Sequence, residues 1–308
     1  MEVLLQLVLL CIGFVLLSKG ADWFVDGAAG IAARFGISQL VIGLTIVAMG
    51  TSAPEAAVSI AASYSGSAGI TVGNVVGSNI MNILVILGLT AVIKALPVEK
   101  GTIRVELPFV VGITVLLYVL GLDGTLSLVD GLILFGCFIG YLTYLYFCAM
   151  QNIEVVEDDV CGNSLWHDIS YTIFGIGVIL LGSNVTVDAA VAIAKFLGWS
   201  DRIIGLTIVA LGTSLPELFT SVTAARRGNV DIAIGNIVGS NIFNILFVIG
   251  LSSMLIPIPF AKEFMHDMYW CIAAAVALLA FVLPTKRLER WGGAGMLAAY
   301  GVYLYMIW

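Results

Sequence analysis

Two glutamates sit where an acid is expensive. Glu55 closes the string Ile42-Gly-Leu-Thr-Ile-Val-Ala-Met-Gly-Thr-Ser-Ala-Pro-Glu55, and Glu217 closes Ile204-Gly-Leu-Thr-Ile-Val-Ala-Leu-Gly-Thr-Ser-Leu-Pro-Glu217; the two agree at twelve of fourteen positions. Each acid ends up inside an apolar stretch. An ionisable residue at membrane depth costs on the order of 3 kcal/mol on insertion scales and points to function. Two such acids, both ionised and close, repel each other, and a cation between them relieves both penalties. Oxygen ligands from carboxylate, carbonyl and hydroxyl groups suit Ca²⁺, which takes roughly six to eight of them. Cysteine and histidine, the softer ligands of zinc and copper, are absent from both strings.

The residues before each acid supply further oxygens. A proline inside a helix removes one donor and clashes with the carbonyl four residues back, here Gly50 for Pro54 and Gly212 for Pro216. A helix broken there releases carbonyls around Thr51 and Thr213 and turns the hydroxyls of Thr51, Ser52, Thr213 and Ser214 toward a cavity. In lipid, freed backbone groups must be satisfied by protein, water or an ion. A second duplicated string follows, Gly73-Asn-Val-Val-Gly-Ser-Asn-Ile-Met-Asn-Ile-Leu84 and Gly235-Asn-Ile-Val-Gly-Ser-Asn-Ile-Phe-Asn-Ile-Leu246. Asn74, Ser78 and Asn82 recur at intervals of four, as do Asn236, Ser240 and Asn244, so each trio lines one helical face. Gly73, Gly77, Gly235 and Gly239 permit close backbone approach. Small residues and Asn at such intervals also glue membrane helices together; beside a duplicated Pro-Glu break, ligation is the stronger reading.

Positioning these groups falls to membrane helices. The chain has 308 residues, 60% hydrophobic and only 11% charged, against about 25% charged in soluble domains. Only helices and closed barrels span a bilayer, and the continuous apolar runs are too long for barrel strands. Ten spans are expected, near 3–32, 38–64, 70–96, 105–121, 126–150, 167–194, 203–225, 231–257, 266–284 and 292–308. The first is read as a span rather than a signal peptide, because Glu2 replaces a basic cluster and no small-residue cleavage site follows. Both duplicated strings share one offset, 162 residues. The expected layout is a first five-helix repeat over 1–150, a polar cytoplasmic linker over 151–166, and a second five-helix repeat over 167–308. Five is odd, so the second repeat enters the membrane from the opposite face. The result is an all-α integral membrane protein of two inverted repeats, a geometry typical of secondary transporters with a midplane site.

Charge gives sidedness. Alternate loops hold nine Lys and Arg (Arg34, Lys94, Lys100, Arg104, Arg226, Arg227, Lys286, Arg287, Arg290), while the other set holds three (Lys195, Arg202, Lys262). The richer side is cytoplasmic, which puts both termini outside. The linker acids Glu154, Glu157, Asp158 and Asp159 read as a solvated loop. No basic tract suggests nucleic acid, and the five cysteines form no CxxC pair that would suggest zinc or a disulfide framework. Asp26 and Asp188 form another pair at the 162 offset, and His167 and His266 stand beside Asp168 and Asp267; all read as interfacial polar residues, with ion entry an alternative role for the first two.

These strings resemble the two alpha repeats of the cation/calcium exchanger superfamily, and in particular of the prokaryotic sodium/calcium exchangers, over essentially the whole chain. The resemblance implies that Glu55 and Glu217 are the central ligands for Ca²⁺ and Na⁺. It adds carbonyls of Thr51 and Thr213, with Ala48 and Ala210, and completes the site with Ser52, Ser214, Ser78, Ser240, Asn82 and Asn244; Asn74 and Asn236 stand at its edge. Some members carry aspartate at the position of Asn82 or Asn244, whereas this chain has amides at both. The expectation is a Ca²⁺/Na⁺ antiporter of the prokaryotic plasma membrane, with transported ions but no cofactor, no protein partner implied, and the lipid bilayer as its surroundings. Protons replacing Na⁺ on the same glutamates, or a cation channel, are the alternatives. An enzyme is not expected, because no nucleophile or histidine accompanies the acid pair.

Overall fold

The computed structural model describes residues 2–64, 69–151, 164–198 and 210–307. Among them, seven helices are long and apolar enough to cross a membrane, and the bent pair Gln39–Thr51 and Ala53–Ser63 passes the same test when its two segments are taken together. The C-terminal helix Arg290–Ile307 is 18 residues long. The expected span 203–225 begins outside the described residues, as do the linker acids and Arg202.

In chain order the first half holds α1 (Glu2–Phe35), α2 (Gln39–Ile42), α3 (Ala48–Thr51), α4 (Ala53–Tyr64), α5 (Gly69–Met81), α6 (Gly88–Ile93), α7 (Lys100–Arg104), α8 (Glu106–Leu120) and α9 (Leu128–Gln151). The second half holds α10 (Leu165–Phe196), α11 (Ala210–Thr213), α12 (Leu215–Arg227), α13 (Val230–Phe243), α14 (Gly250–Leu255), α15 (Lys262–Val282) and α16 (Arg290–Ile307). Wider π-helical turns at Gly43–Val47, Asn82–Leu87 and Asn244–Ile249 join α2 to α3, α5 to α6 and α13 to α14. Two short antiparallel ladders tie the halves at their connections. β1 (Leu96–Pro97) pairs with β4 (Arg287–Leu288), and β2 (Thr125–Leu126) with β3 (Ile258–Pro259).

The spans carrying the second string form the centre. The most apolar window of Val230–Leu255 is 94% buried and that of Ile70–Ile93 is 72% buried, against 17% for Val3–Phe35. Helices at the centre meet other helices on every side, so their polar residues face protein rather than lipid.

α1 and α10 form a separate pair packed along each other. Their contacts run antiparallel, Gly13 on Thr186, Gly20 on Ile179 and Gly27 on Thr172. A Cβ on Gly175 would stand 2.5 Å from the Phe24 nitrogen, so backbone meets backbone without intervening side chains, as small residues allow between membrane helices. Asp168 departs from the interfacial role expected of it. It is 4% exposed, pressed against Gly30 of α1 and paired with Arg34 at 3.7 Å. Glycine at position 30 leaves room for a carboxylate that the sequence alone places at a span edge.

Candidate cation site

Both first strings break where proline stops the helix from running on. α3 ends at Thr51 and α4 starts at Ala53, with a 48° bend between the two segments. Ser52 sits at the break with φ −84° and ψ 8°, and Ser214 occupies the same place with φ −92° and ψ 5°. Pro54 and Pro216 therefore lie in the first turn of α4 and α12, where a missing N–H costs no hydrogen bond. Glu55 and Glu217 follow at once, 1% and 0% exposed.

The two breaks interlock. Ser52 donates its hydroxyl to Glu217 Oε1 at 2.8 Å, and Ser214 donates to Glu55 Oε1 at 3.5 Å. Each serine thus serves the acid of the opposite half. Close approach is made possible by the glycines of the second string. A Cβ on Gly239 would stand 2.7 Å from the Ala48 Cβ, and one on Gly235 would stand 2.8 Å from the Leu40 carbonyl oxygen. Ser240 is thereby brought to the Ala48 carbonyl, at 3.5 Å. That carbonyl also receives the Ser52 N–H and the Thr51 hydroxyl, so it is engaged rather than released.

Below the acids lies a second crossed pair. Asn82 donates to Asn241 Oδ1 at 3.1 Å, and Asn244 donates to Asn79 Oδ1 at 3.2 Å. Asn79 also donates to the Asn241 carbonyl. Asn79 and Asn241 belong to the duplicated string, but they fall off the four-residue stripe and were passed over for that reason. Their invariance between the two copies was the available signal. Asn82 and Asn244 each open a π-helical turn, a wider coil often met at functional sites.

Asn74 and Asn236 hold the acids' backbones rather than pointing at the carboxylates. Asn74 Nδ2 reaches the Glu55 carbonyl and Ser59 Oγ; Asn236 Nδ2 reaches the Glu217 carbonyl and Ser221 Oγ. Asn236 Oδ1 also accepts from the Thr51 hydroxyl at 3.0 Å. Ser78 is buried near this cluster. Thr213 lines a cleft beside it. Ala210 contributes only a described backbone, and its equivalent strand of motif, residues 204–209, lies outside the described residues.

Among the described residues ten buried side-chain oxygens lack a hydrogen-bond partner, and four of them lie at the crossing of the two halves: Glu55 Oε2, Glu217 Oε2, Asn82 Oδ1 and Asn244 Oδ1. Buried acceptors are normally satisfied, so this set is unusual. All four can only accept, they form two repeat-related pairs, and each could ligate a hard cation. No group of three His, Cys, Asp or Glu suited to a metal occurs among the described residues, so the oxygens must come from mixed donor types.

The cleft beside the site, of about 490 Å³, is lined by Pro54 and Val58 of α4, by Ser183, Asn184 and Asp188 of α10, and by Gly212 and Thr213 of α11. Asp188 thus lines the cleft that Thr213 also lines, whereas Asp26 and Asp22 are engaged by Arg227.

Two buried acids at breaks in apolar helices, each held by a serine of the opposite half, mark an ion-handling membrane protein. The chain belongs to the sodium/calcium exchanger family: the family described as sodium/calcium exchanger protein matches residues 5–147 and 167–308. The putative antiporter CaxA of Alkalimonas amylolytica is 38% identical, with 99% of each chain covered. The sodium/calcium exchanger MaX1 of Methanosarcina acetivorans is 32% identical over 97% of both. Among solved structures, the sodium-calcium exchanger NCX_Mj soaked with 10 mM Na⁺ and 10 mM Sr²⁺ superposes with a TM-score of 0.87 at 35% identity, covering 98% of each chain.

Proposed function

We propose that this protein is a secondary active antiporter that exchanges Ca²⁺ for Na⁺ across the plasma membrane of a prokaryote. Glu55 and Glu217 are the central ligands in this reading. Oxygens of Thr51, Thr213, Ser52, Ser214, Ser78, Ser240, Asn82 and Asn244 surround them, and Asn74 and Asn236 hold the acids in place. The observation that carries the reading is the set of four donorless acceptor oxygens at the crossing of the two halves.

The two carboxylates make the site costly when empty and neutral when filled by one Ca²⁺ or by Na⁺ ions. A charged, empty site resists passage through the dehydrated midplane, so the protein switches sides only when loaded. Exchange rather than leak follows. In this reading the chain has ten spans as two inverted five-helix repeats, which the apolar runs and the odd number of spans per half support, with the linker 151–166 cytoplasmic and both termini outside by the charge bias. Motion of α1 and α10 against the central spans would expose the site to each side in turn, and their glycine-lined mutual contact lets the two move as one tightly packed pair.

The test is uptake of radiolabelled Ca²⁺ into reconstituted vesicles under separately imposed Na⁺ and pH gradients. An opposing Na⁺ gradient should drive uptake, and Glu55→Gln and Glu217→Gln should abolish it. Uptake driven by a pH gradient without Na⁺ would instead make the coupled ion a proton.

A further inference from the structure

The two repeats are not equally closed, and the difference is held by one arginine. α1 packs along α12, whereas the repeat-equivalent pair, α10 and α4, makes little contact and leaves the cleft between them. Val58 of α4 is 43% exposed, while Thr220, its equivalent on α12 at the 162 offset, is 0% exposed. So the Asn184/Asp188 side is open and the side of Asp22 and Asp26 is shut.

Arg227, at the end of α12, spans the shut side. Its Nε and Nη2 bond Asp22 Oδ1 at 3.1 and 2.8 Å, and its Nη1 bonds Asp26 Oδ1. The two aspartates are one turn apart on α1, so the rigid fork of a guanidinium can engage both. Lys19 adds a longer contact to Asp22, at 3.9 Å. Among the described residues no arginine bridges α10 and α4 in the same way. The position matching Arg227 is Ser65, and the position matching Asp22 is Asn184. Of the three charges only Asp26 is duplicated, as Asp188; Arg227 and Asp22 are not, so this three-residue contact belongs to one face only.

We propose that Arg227 is a positioning residue whose ion pairs with Asp22 and Asp26 latch α1 against α12, so that the protein rests with the Asn184/Asp188 cleft open and the opposite side shut. The proposal rests on the alternating-access reading above. α12 begins at the break that carries Glu217, and α1 is half of the pair expected to move, so the latch joins the moving helices to the helix bearing the site. Opening the shut side must break these ion pairs, whereas among the described residues no arginine fork of this kind ties α10 to α4. The resting population is biased accordingly.

The test is sided cysteine labelling of the full chain in vesicles, with Cys11, Cys137, Cys148, Cys161 and Cys271 replaced. One reporter is Val58→Cys in the open cleft; the other is Thr220→Cys on the shut side. A membrane-impermeant maleimide is applied from each face in ion-free buffer and with Na⁺ or Ca²⁺. Arg227→Gln should slow labelling at position 58 and speed it at position 220 by about five-fold, the scale of a partly exposed ion pair. Asp22→Asn with Asp26→Asn should do the same, which keeps the test decisive if Arg227→Gln fails to assemble. Arg227→Lys should fall between, since an ammonium cannot fork. Unchanged rates at both reporters in these variants would overturn the latch. If instead neither reporter responds to Na⁺ or Ca²⁺ in the parent, the alternating-access reading fails and the latch with it.

Discussion

Replacing Glu217 by glutamine keeps the shape of the site and removes one of its two charges. Glu217 is fully buried, and only Oε1 has a donor, the Ser52 hydroxyl at 2.8 Å. The other oxygen, Oε2, has none. An amide in the same place offers one acceptor instead of two, and its NH₂ group brings hydrogens into a cage built from acceptors. Removing one partner of a buried charge pair costs about 3–5 kcal/mol. At about 1.4 kcal/mol per tenfold, Ca²⁺ affinity should fall by roughly 100-fold to 4,000-fold. Na⁺ carries half the charge and should lose less, so the ratio of Ca²⁺ to Na⁺ affinity should fall as well. Equilibrium binding of radiolabelled Ca²⁺ to purified protein, titrated with Na⁺ as competitor, reads both quantities. Glu55→Gln should give a loss of similar size, because it too is buried with a serine of the opposite half on Oε1 and no donor on Oε2. An affinity within about three-fold of the parent for either variant would refute the central role of these carboxylates.

Three further outcomes follow from the same geometry. Gly175→Val puts its Cβ 2.5 Å from the Phe24 nitrogen, and overpacking of about 1–3 kcal/mol should appear as a lowered melting temperature in detergent together with slowed exchange, while Ca²⁺ affinity stays near the parent value. Asn241→Leu removes the acceptor of Asn82 and leaves a buried amide without a partner; a loss of about 1–3 kcal/mol should be read in thermal unfolding. At the end of the α6–α7 connection, Glu99 has its carboxyl pushed upward by burial and by the neighbouring Asp231 and Glu106. Its ionised form is therefore disfavoured in the folded protein, which is penalised above the raised value and not below the ordinary one. Glu99→Gln should raise the melting temperature at pH 8 and leave it unchanged near pH 4.

Much of the site could be read before any coordinates, because duplication exposes what each half retains. The Pro-Glu break, the four-residue stripe and the offset of 162 point to Glu55, Glu217, Ser52, Ser214, Asn82 and Asn244; all six are buried, and each serine is hydrogen-bonded to the acid of the opposite half. What escaped was pairing across the halves. A stripe at intervals of four is a property of a single helix, so it passed over Asn79 and Asn241, whose partners lie on the opposite repeat. Asn74 and Asn236 fit the stripe and yet turn to backbone carbonyls, because the break places the Glu55 and Glu217 carbonyls within their reach. The π-helical turns were equally out of view, since no residue pattern distinguishes them from ordinary helix.

Composition and repetition, taken alone, determine that this chain lives in lipid, that it is two copies of one unit, and that each copy presents an acid behind a broken helix. These follow from local chemistry: apolar length, the missing proline donor and the cost of a buried charge. The tertiary structure decided which serine serves which acid, which asparagines cross between halves, and why one side is shut while the other is open. Such choices depend on how two chemically near-identical units approach each other. They were settled by close glycine contacts at the centre and by an arginine that only one unit possesses.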